Sequence, residues 1–308
     1  MSFDTLPAGT QILLTGATGQ VGRELFQTLK PLGDLIAPKR ATMDLADTDS
    51  IRKTIRTVRP RWIVNPAAYT AVDKAESEPD VAYAINAEAV KVIAEEARAL
   101  GAGVIHFSTD YVFDGSRKDP YVETDAVGPM SVYGASKLAG EEALAKVGAG
   151  HIIFRTSWVY GTHRKNFLLT ILKLAREKET LQIVSDQHGA PTWSRDLAKM
   201  TAQVIRGCET VARNEGFSAA LQNVSGIYHA AASGETTWFG FAAKAIELQK
   251  EQKPGERLAT VEPIQTAQYP TPAKRPANSR LNCSKLTERF GWTMMDWRDS
   301  LQEVLSEL

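Results

Sequence analysis

The chain has 308 residues, of which 43% are hydrophobic and 23% charged, a composition typical of a soluble globular protein with one large domain or two closely packed ones. Lys+Arg and Asp+Glu each number 36, so the formal net charge is zero and argues against a broadly basic surface for a nucleic-acid polymer. The two cysteines, Cys208 and Cys283, form neither a Cys-x-x-Cys pair nor a cysteine–histidine cluster. This usage predicts reduced thiols rather than a zinc site.

The N-terminal segment predicts no targeting or membrane sequence. Residues 1–11 lack the basic stretch followed by an apolar run that is typical of a signal peptide. The apolar run at residues 12–14 is far too short to span a membrane. Together with the reduced thiols, this leads us to expect a cytoplasmic protein that does not enter a membrane.

Short apolar segments alternate with helical patterns in the first half of the chain. Strands are predicted at residues 12–15, 35–37, 62–65, 104–108 and 152–155. Helices are predicted at residues 21–30, 49–58 and 80–100, and a further helix carries Tyr133 and Lys137 and ends at about residue 147. Buried strands alternating with helices indicate an α/β fold with a doubly wound, Rossmann-like parallel sheet covered on both faces. Ligands bind at the carboxyl ends of the strands in such folds.

In the second half of the chain, predicted strands and helices alternate less regularly. Helices are predicted at residues 166–177, 194–206, 237–250 and 296–307, with proline-containing loops between them. We therefore predict a dinucleotide-binding domain at residues 1–155. Residues 156–308 are predicted to form mainly a smaller α/β substrate-binding domain, from which the chain can cross back to the first domain.

A glycine-rich loop connects the first predicted strand to the first helix. It reads Gly16-Ala17-Thr18-Gly19-Gln20-Val21-Gly22. Glycines let the backbone approach a pyrophosphate, and the N-terminus of the following helix offers free N–H groups and a partial positive charge. The loop is therefore interpreted as a dinucleotide site. Because its spacing differs from Gly-x-Gly-x-x-Gly, an ordinary glycine-rich turn remains the alternative.

The end of the second predicted strand bears on the choice between NADP and NAD. The segment carries Lys39 and Arg40 and no acidic residue that would bind a ribose 2′-hydroxyl. Basic side chains suit a 2′-phosphate, so the pair favours NADPH, with NADH left open. The alternative is a solvated basic pair without a ligand.

Tyr133 and Lys137 lie four residues apart and share one face of a predicted helix. The ammonium is expected to favour the phenolate and so to lower the pKa of Tyr133 toward the range of a general acid. Thr109, at the end of the preceding strand, can hold a carbonyl oxygen while Tyr133 donates its proton. Lys137 can also bond the nicotinamide ribose. The alternative is a solvent-facing helix that carries the two residues incidentally.

Together these motifs resemble the extended short-chain dehydrogenase/reductase family. The match is closest to the branch that reduces a 4-keto-6-deoxy sugar nucleotide with NADPH or NADH, the last step toward dTDP-L-rhamnose. It is carried by residues 16–22, 65–73, 108–115, 133–141, 155–160, 166–167, 189–192 and 275–279, and so covers nearly the whole chain. The segments after residue 150 are the more specific ones, because the glycine and Tyr/Lys motifs occur throughout the superfamily.

The resemblance implies a role for each matching residue. Tyr133 is the proton donor, Lys137 its partner, and Thr109 orients the keto group with Asp110 beside it. The residues implied to bind the cofactor are Gly19, Gln20 and Val21 at the pyrophosphate, Asp44 and Leu45 at the adenosine, and Ala68, Tyr69 and Thr70 at the nicotinamide half. Gly16, Gly22, Lys39, Arg40 and Ala67 are further candidates for cofactor binding. The residues implied to bind substrate, besides Thr109 and Asp110, are Trp158, Asn166, Arg275, Asn278 and Ser279. The guanidinium of Arg275 is also suited to a diphosphate by its own chemistry, independently of the resemblance. Trp158 could equally be a residue of the hydrophobic core.

Magnesium is a further cofactor of the resembling family, in which some members bind it between subunits through carboxylates. Glu24 fits one such position. Residues 193–196 read Trp-Ser-Arg-Asp, where the metal-binding members have a glutamate. No metal ligand is therefore assigned, and both magnesium and a homodimer are left open.

Two kinds of alternative function compete with reduction. A sugar-nucleotide dehydratase needs an extra carboxylate after Thr109-Asp110, and Tyr111 at that position argues for plain reduction. A 4-epimerase, or a 4-reductase of another sugar, is not excluded by the sequence. A non-catalytic NADP-binding regulatory subunit is the other alternative, and the intact Tyr133, Lys137 and Thr109 argue against it.

Overall fold

The computed structural model describes residues 6–308, so the expectation for the N-terminal segment falls partly outside it. The strands are β1 Gln11–Leu14, β2 Asp34–Ile36, β3 Trp62–Asn65, β4 Gly103–Thr109, β5 His151–Thr156, β6 Val159–Tyr160, β7 Thr180–Val184, β8 His188–Gly189, β9 Thr192–Trp193, β10 Gly226–His229, β11 Thr236–Thr237 and β12 Thr260–Ile264. The α-helices are α1 Gln20–Leu29, α2 Thr48–Val58, α3 Val72–Ala75, α4 Pro79–Tyr83, α5 Ala89–Leu100, α6 Val132–Val147, α7 Phe167–Glu177, α8 Ser194–Glu215, α9 Phe217–Val224, α10 Trp238–Gln252, α11 Ser284–Phe290 and α12 Trp297–Ser306.

Six parallel strands form the central sheet, in the order β2-β1-β3-β4-β5-β10. The strands are short and almost wholly apolar because both faces of the sheet are covered. The order reverses direction between β1 and β3, which creates the crevice where doubly wound sheets bind ligands. The predicted doubly wound parallel sheet is therefore confirmed.

Two hydrophobic clusters cover the faces of the sheet. Alternate residues of each strand point to opposite sides, so Ile12 and Leu14 pack with α1 and α8 while Leu13 packs with α2, α5 and α6. The helix expected at residues 80–100 is present as α4 and α5, joined by a π-helical turn at Ala84–Glu88. Such turns are frequent at functional sites.

The second half of the chain builds its own cluster and also returns to the sheet. Helices α7, α10 and α12 pack around Phe241, Trp193 and Trp297. Strand β10, which the sequence patterns did not reveal, pairs with β5 at the edge of the sheet. The division at residue 155 into two domains remains a prediction. Within residues 6–308, no helix combines the length and the apolar character that crossing a membrane requires.

One buried ion pair fixes α6 to the sheet. Glu141 on α6 accepts three hydrogen bonds from the guanidinium of Arg155 on β5, the shortest at 2.6 Å from Nη2 to Oε2. The two side chains are only 2% and 3% exposed. Removing one member of such a pair leaves a buried charge without its partner.

We predict that Glu141→Ala lowers the free energy of unfolding by about 3–5 kcal/mol, because the guanidinium of Arg155 then lies uncompensated in the interior. Glu179→Ala is the matched control, since it breaks a pair with Arg257 whose side chains are 83% and 87% exposed. The control substitution should lower the free energy of unfolding by less than about 1 kcal/mol. Urea unfolding followed by circular dichroism measures both, and equal losses would contradict the prediction.

Candidate active site

The predicted site residues of the first half meet at the carboxyl edge of the sheet. The loops that follow β1, β3 and β4 leave this edge side by side, because the three strands are parallel neighbours. They carry the glycine loop, residues 66–70 and the Thr109-Asp110 pair. Helix α6 brings Tyr133 and Lys137 to the same edge, since α6 packs against β4 and the turn that follows it.

The glycine loop has the shape that a pyrophosphate site needs. Gly16 has φ +56, and a Cβ there would lie 2.8 Å from the Cβ of Ala67. A Cβ on Gly22 would lie 2.0 Å from the carbonyl oxygen of Gly16, so only glycine lets α1 start this close to the loop. Gly19 caps α1 without a side-chain hydrogen bond to the helix. The N–H groups of Gln20 and Val21 thus open toward the loop, where an anion can bind.

Two loops flank the glycine loop. Lys39 and Arg40 are exposed after β2, and Arg40 reaches Asp44 with its Nε 3.2 Å from Oδ2. Leu45 is half-buried and packs on the cluster beneath α2. A guanidinium that is 78% exposed and held only by a surface carboxylate is free to turn toward a ligand.

The loop after β3 is held by Asn86, a residue that the sequence patterns did not single out. Its Oδ1 accepts the backbone N–H of Tyr69 at 2.8 Å, and its Nδ2 donates to the Tyr69 carbonyl at 3.1 Å and to Ser136 Oγ at 3.0 Å. Asn86 thereby ties residues 66–70, with Ala67, Ala68 and Thr70, to α6. It lies in the π-helical turn, which looks like ordinary helix in the sequence.

Tyr133 lies beside Thr109, and Lys137 lies one turn further along α6. Helix α6 begins at Val132, and Ser131 caps it by accepting the N–H of Gly134 at 3.2 Å. Tyr133 is half-buried, whereas Lys137 is only 1% exposed. Thr109 donates to Asp110 Oδ1 at 3.0 Å, and the phenol of Tyr133 hydrogen-bonds the Thr109 side chain.

The electrostatics of the pair differ from the expectation. Burial raises the pKa of Tyr133 to about 12, with the hydrogen bond to Thr109 opposing the rise. The amine of Lys137 is directed elsewhere, with Nζ 2.6 Å from the carbonyl oxygen of Phe107 and 3.1 Å from Nε2 of His106. The expected lowering of the Tyr133 pKa by Lys137 is therefore wrong for this arrangement, because desolvation dominates.

Two neighbouring groups are also shifted. Burial lowers the pKa of Lys137 to about 8, and burial raises the pKa of the Asp110 carboxyl to about 6, opposed by hydrogen bonds from Ser279 and Thr109. The ring of Tyr111 lies edge-on to that of Tyr133, with centroids 5.5 Å apart. Perturbed titratable groups gathered at one sheet edge are typical of an active site.

A cavity of about 810 Å³ lies in the second half of the chain. Its lining includes the side chains of Phe167, Gln182, Trp238, Tyr269 and Arg275. Four of these were not predicted. Phe167 follows Asn166 in a segment that carried the resemblance, whereas Gln182, Trp238 and Tyr269 gave no signal in the sequence beyond ordinary core or loop composition.

Arg275 and Trp158 occupy defined positions beside this cavity. The guanidinium of Arg275 pairs with Asp73, at 2.8 Å from Nη2 to Oδ2, and also contacts Thr271. Trp158 has φ +49 and stacks on Trp238 with ring centroids 3.7 Å apart and planes 13° apart. One face of the Trp158 ring is therefore covered by a second indole.

The remaining predicted substrate residues use their side chains within the protein. Asn166 caps α7, accepting the N–H of Leu169 at 3.0 Å and donating to the carbonyl of Gly161 at 2.8 Å. Asn278 donates to the carbonyls of residues 117 and 119, both at 2.9 Å. Ser279 is buried beside Asp110. The substrate roles of the two asparagines stay predictions, and the contacts found here are structural.

The residues around Glu24 do not fit a divalent cation. Arg195 donates from Nε to Glu24 Oε2 at 2.9 Å and from Nη2 to Glu307 Oε2 at 2.9 Å. Its guanidinium also lies 4.8 Å from the ring centroid of Trp193. The carboxylates of α1 and of the C-terminal Glu307 are thus already neutralised by a protein cation. A magnesium ion needs those oxygens free.

A dinucleotide loop lies at the switch point of a parallel sheet, next to a helix that carries a half-buried tyrosine beside a threonine hydroxyl and, one turn later, a buried lysine. This arrangement defines a nicotinamide-dependent oxidoreductase of the short-chain dehydrogenase/reductase type. The model of the family described as "RmlD substrate binding domain" matches residues 10–308. The chain belongs to this family, the dTDP-4-dehydrorhamnose reductases.

Relatives of known name support this membership. The chain is 47% identical over 301 residues to dTDP-4-dehydrorhamnose reductase of Escherichia coli strain K12, covering 96% of this chain and 97% of that protein. The crystal structure of the Clostridium acetobutylicum reductase is similar, with a TM-score of 0.87, 35% identity and coverage of 97% and 99%. That of the Bacillus anthracis reductase in complex with NADP has a TM-score of 0.85, 32% identity and coverage of 97% and 100%.

Proposed function

We propose that this protein reduces dTDP-4-dehydro-L-rhamnose to dTDP-L-rhamnose with NADPH. The observation that carries the proposal is the joint position of Tyr133 and Thr109 at the carboxyl edge of the sheet, beside the glycine loop. Membership of this family narrows the proposed substrate from any carbonyl compound to a 4-keto sugar nucleotide. The relatives from Escherichia coli and Salmonella typhimurium are both named dTDP-4-dehydrorhamnose reductase. An activity assay decides whether NADH can replace NADPH and whether a related 4-keto sugar is the substrate instead.

The reaction needs a hydride for the carbonyl carbon and a proton for its oxygen. NADPH, when bound along the glycine loop, supplies the hydride. Tyr133 supplies the proton, and its pKa of about 12 keeps the phenol protonated at neutral pH and therefore able to donate. Thr109 holds the carbonyl oxygen in reach of the phenol. The products are the alcohol, the oxidised cofactor NADP⁺ and the Tyr133 phenolate, which must regain a proton before the next turnover.

The sugar nucleotide is placed by the second half of the chain. We assign its nucleotide and diphosphate to the cavity that Arg275 borders, because a guanidinium there matches a diphosphate. Trp158, supported by Trp238, provides an aromatic face for the sugar. We also propose a cytoplasmic location, while the oligomeric state is a separate question that sedimentation can answer.

The assay follows absorbance at 340 nm with NADPH and dTDP-4-dehydro-L-rhamnose, and we expect oxidation of NADPH. Tyr133→Phe should reduce kcat by about 100-fold or more while leaving NADPH affinity nearly unchanged, the scale expected for losing a general acid. Tyr83→Phe, at an exposed position on α4, is the matched control and should be neutral. No oxidation by the wild type, with NADPH still bound tightly, would instead favour a regulatory NADP-binding role.

Lys39 and Arg40 allow a test of cofactor choice. Replacing both with alanine should weaken NADPH binding by about tenfold or more, because charge-assisted contacts to the 2′-phosphate are worth about 1.5–3 kcal/mol. NADH binding should not change. Lys91→Ala with Arg257→Ala removes two exposed positive charges elsewhere and serves as the control. Fluorescence titrations measure the affinities, and equal weakening for NADH would refute a 2′-phosphate contact.

We further propose that the Arg195 guanidinium takes the place of a divalent cation between Glu24 and Glu307. The melting temperature and activity of the wild type should then be the same in EDTA and in MgCl₂. Arg195→Glu would gather three carboxylates and should melt at a higher temperature in MgCl₂ than in EDTA, whereas the control Arg195→Gln should not respond. A wild-type melting temperature that rises with magnesium would overturn this proposal.

A further inference from the structure

A row of four buried side chains extends behind the site and ends at Lys137, the predicted partner of Tyr133. Thr15, Asn65, His106 and Lys137 are 3%, 1%, 0% and 1% exposed. They cross from the end of β1 over β3 and β4 to α6. The contacts are 2.5 Å from Thr15 Oγ1 to Asn65 Oδ1, 3.1 Å from Asn65 Nδ2 to His106 Nδ1, and 3.1 Å from His106 Nε2 to Lys137 Nζ.

The hydroxyl of Thr15, at one end of the row, determines which atom donates and which accepts in the hydrogen bonds that follow. Thr15 donates its single hydroxyl proton to Asn65 Oδ1, which turns the amide Nδ2 toward His106. An amide N–H can only donate, so Nδ1 of His106 accepts and carries no proton. Burial, and next the charge of Lys137, hold the pKa of His106 well below its usual range, so the ring is neutral. Its one proton therefore lies on Nε2, facing Lys137.

This arrangement couples the tautomer of His106 to the charge of Lys137. An Nε2–H group can donate to Nζ only when the lysine is a neutral amine with a free electron pair. An ammonium needs Nε2 as an acceptor, which moves the ring proton to Nδ1 and requires Asn65 to present Oδ1 instead. When Lys137 changes from ammonium to amine it loses one proton, and His106 keeps one proton, now on Nε2 rather than Nδ1.

We propose that His106 is a positioning residue for the reduction, which sets the acidity of Lys137 through its tautomer, with Asn65 and Thr15 fixing that tautomer. The inference rests on the proposed function, in which the Tyr133 phenolate must be reprotonated after each turnover. A lysine that is stable both as ammonium and as amine can give up the proton that this step consumes. An ordinary buried lysine, with only carbonyl acceptors, would hold its proton more firmly.

Other charged side chains near the row do not set the acidity of Lys137 in place of His106. The titratable and charged side chains on the elements around the row are Tyr133, Glu141, Glu142 and Lys146 on α6, Arg155 and His151 on β5, and Asp110 after β4. The Glu141 carboxylate raises the pKa of Lys137, but it is paired with Arg155, and burial outweighs it. Strands β1 and β3 contribute only the uncharged Thr15 and Asn65 to the row.

The test measures the titration of Lys137 directly, by NMR of the full-length protein labelled with ¹³C at the lysine Cε and assigned with Lys137→Arg. Asn65→Asp and Thr15→Val both favour the tautomer that accepts from an ammonium, and should raise the Lys137 pKa by about one unit or more. His106→Leu removes the Nε2–H group that the wild-type tautomer turns toward Lys137 and leaves the Phe107 carbonyl as its acceptor, so it should raise the Lys137 pKa as well. Thr201→Val, at a buried threonine of α8 that bonds the Leu197 carbonyl, is the control and should change nothing.

The pH profile of kcat/KM gives the second readout. Reduction takes up a proton, so the rate should fall as pH rises through the Lys137 pKa, and this fall should move to higher pH in Asn65→Asp and Thr15→Val. If His106→Leu does not fold, those two variants decide. An unmoved Lys137 titration in both overturns the inference. A wild type that does not oxidise NADPH refutes the proposed function instead, while the NMR titration still decides the role of His106.

Discussion

The burial of Lys137 is the constraint on which the site depends. Its amine can be satisfied in the interior only by the Phe107 carbonyl and by His106, so α6 must lie over the end of β4. That position places Tyr133, one turn earlier, beside Thr109. The ion pair between Glu141 and Arg155 fixes the next turn of the same helix to β5. The geometry of the candidate site thus follows from pairing the buried side chains of Lys137, Glu141 and Arg155.

The parallel sheet converts this local constraint into a site. Since β1, β3 and β4 end at one edge, the glycine loop, the loop held by Asn86 and Thr109 become neighbours although they are far apart in the chain. The reversal of strand order between β1 and β3 leaves a crevice for the dinucleotide. The second half of the chain adds the cavity bordered by Arg275, and it is joined to the sheet through β10.

Burial has opposite effects on the two principal groups of the site. It raises the pKa of Tyr133 and lowers that of Lys137, because desolvation disfavours the charged form of each. A protonated phenol and a lysine that can lose its proton together suit the delivery of a proton to a carbonyl oxygen. On α1, the helix that follows the glycine loop, the guanidinium of Arg195 neutralises the carboxylate of Glu24. A cation of the protein itself therefore occupies that position.

The sequence by itself determined the features that depend on neighbours in the chain. Apolar runs predicted β1, β3, β4 and β5, the glycine spacing predicted the loop, and the order of Thr109, Tyr133 and Lys137 predicted their meeting, because parallel strands leave little choice of edge. Only the tertiary structure decided what depends on distant partners. Strand β10, the stacking of Trp158 on Trp238, the Arg195 ion pairs and the direction of the Lys137 amine each need a second residue brought from far along the chain, and local patterns carry no record of that residue.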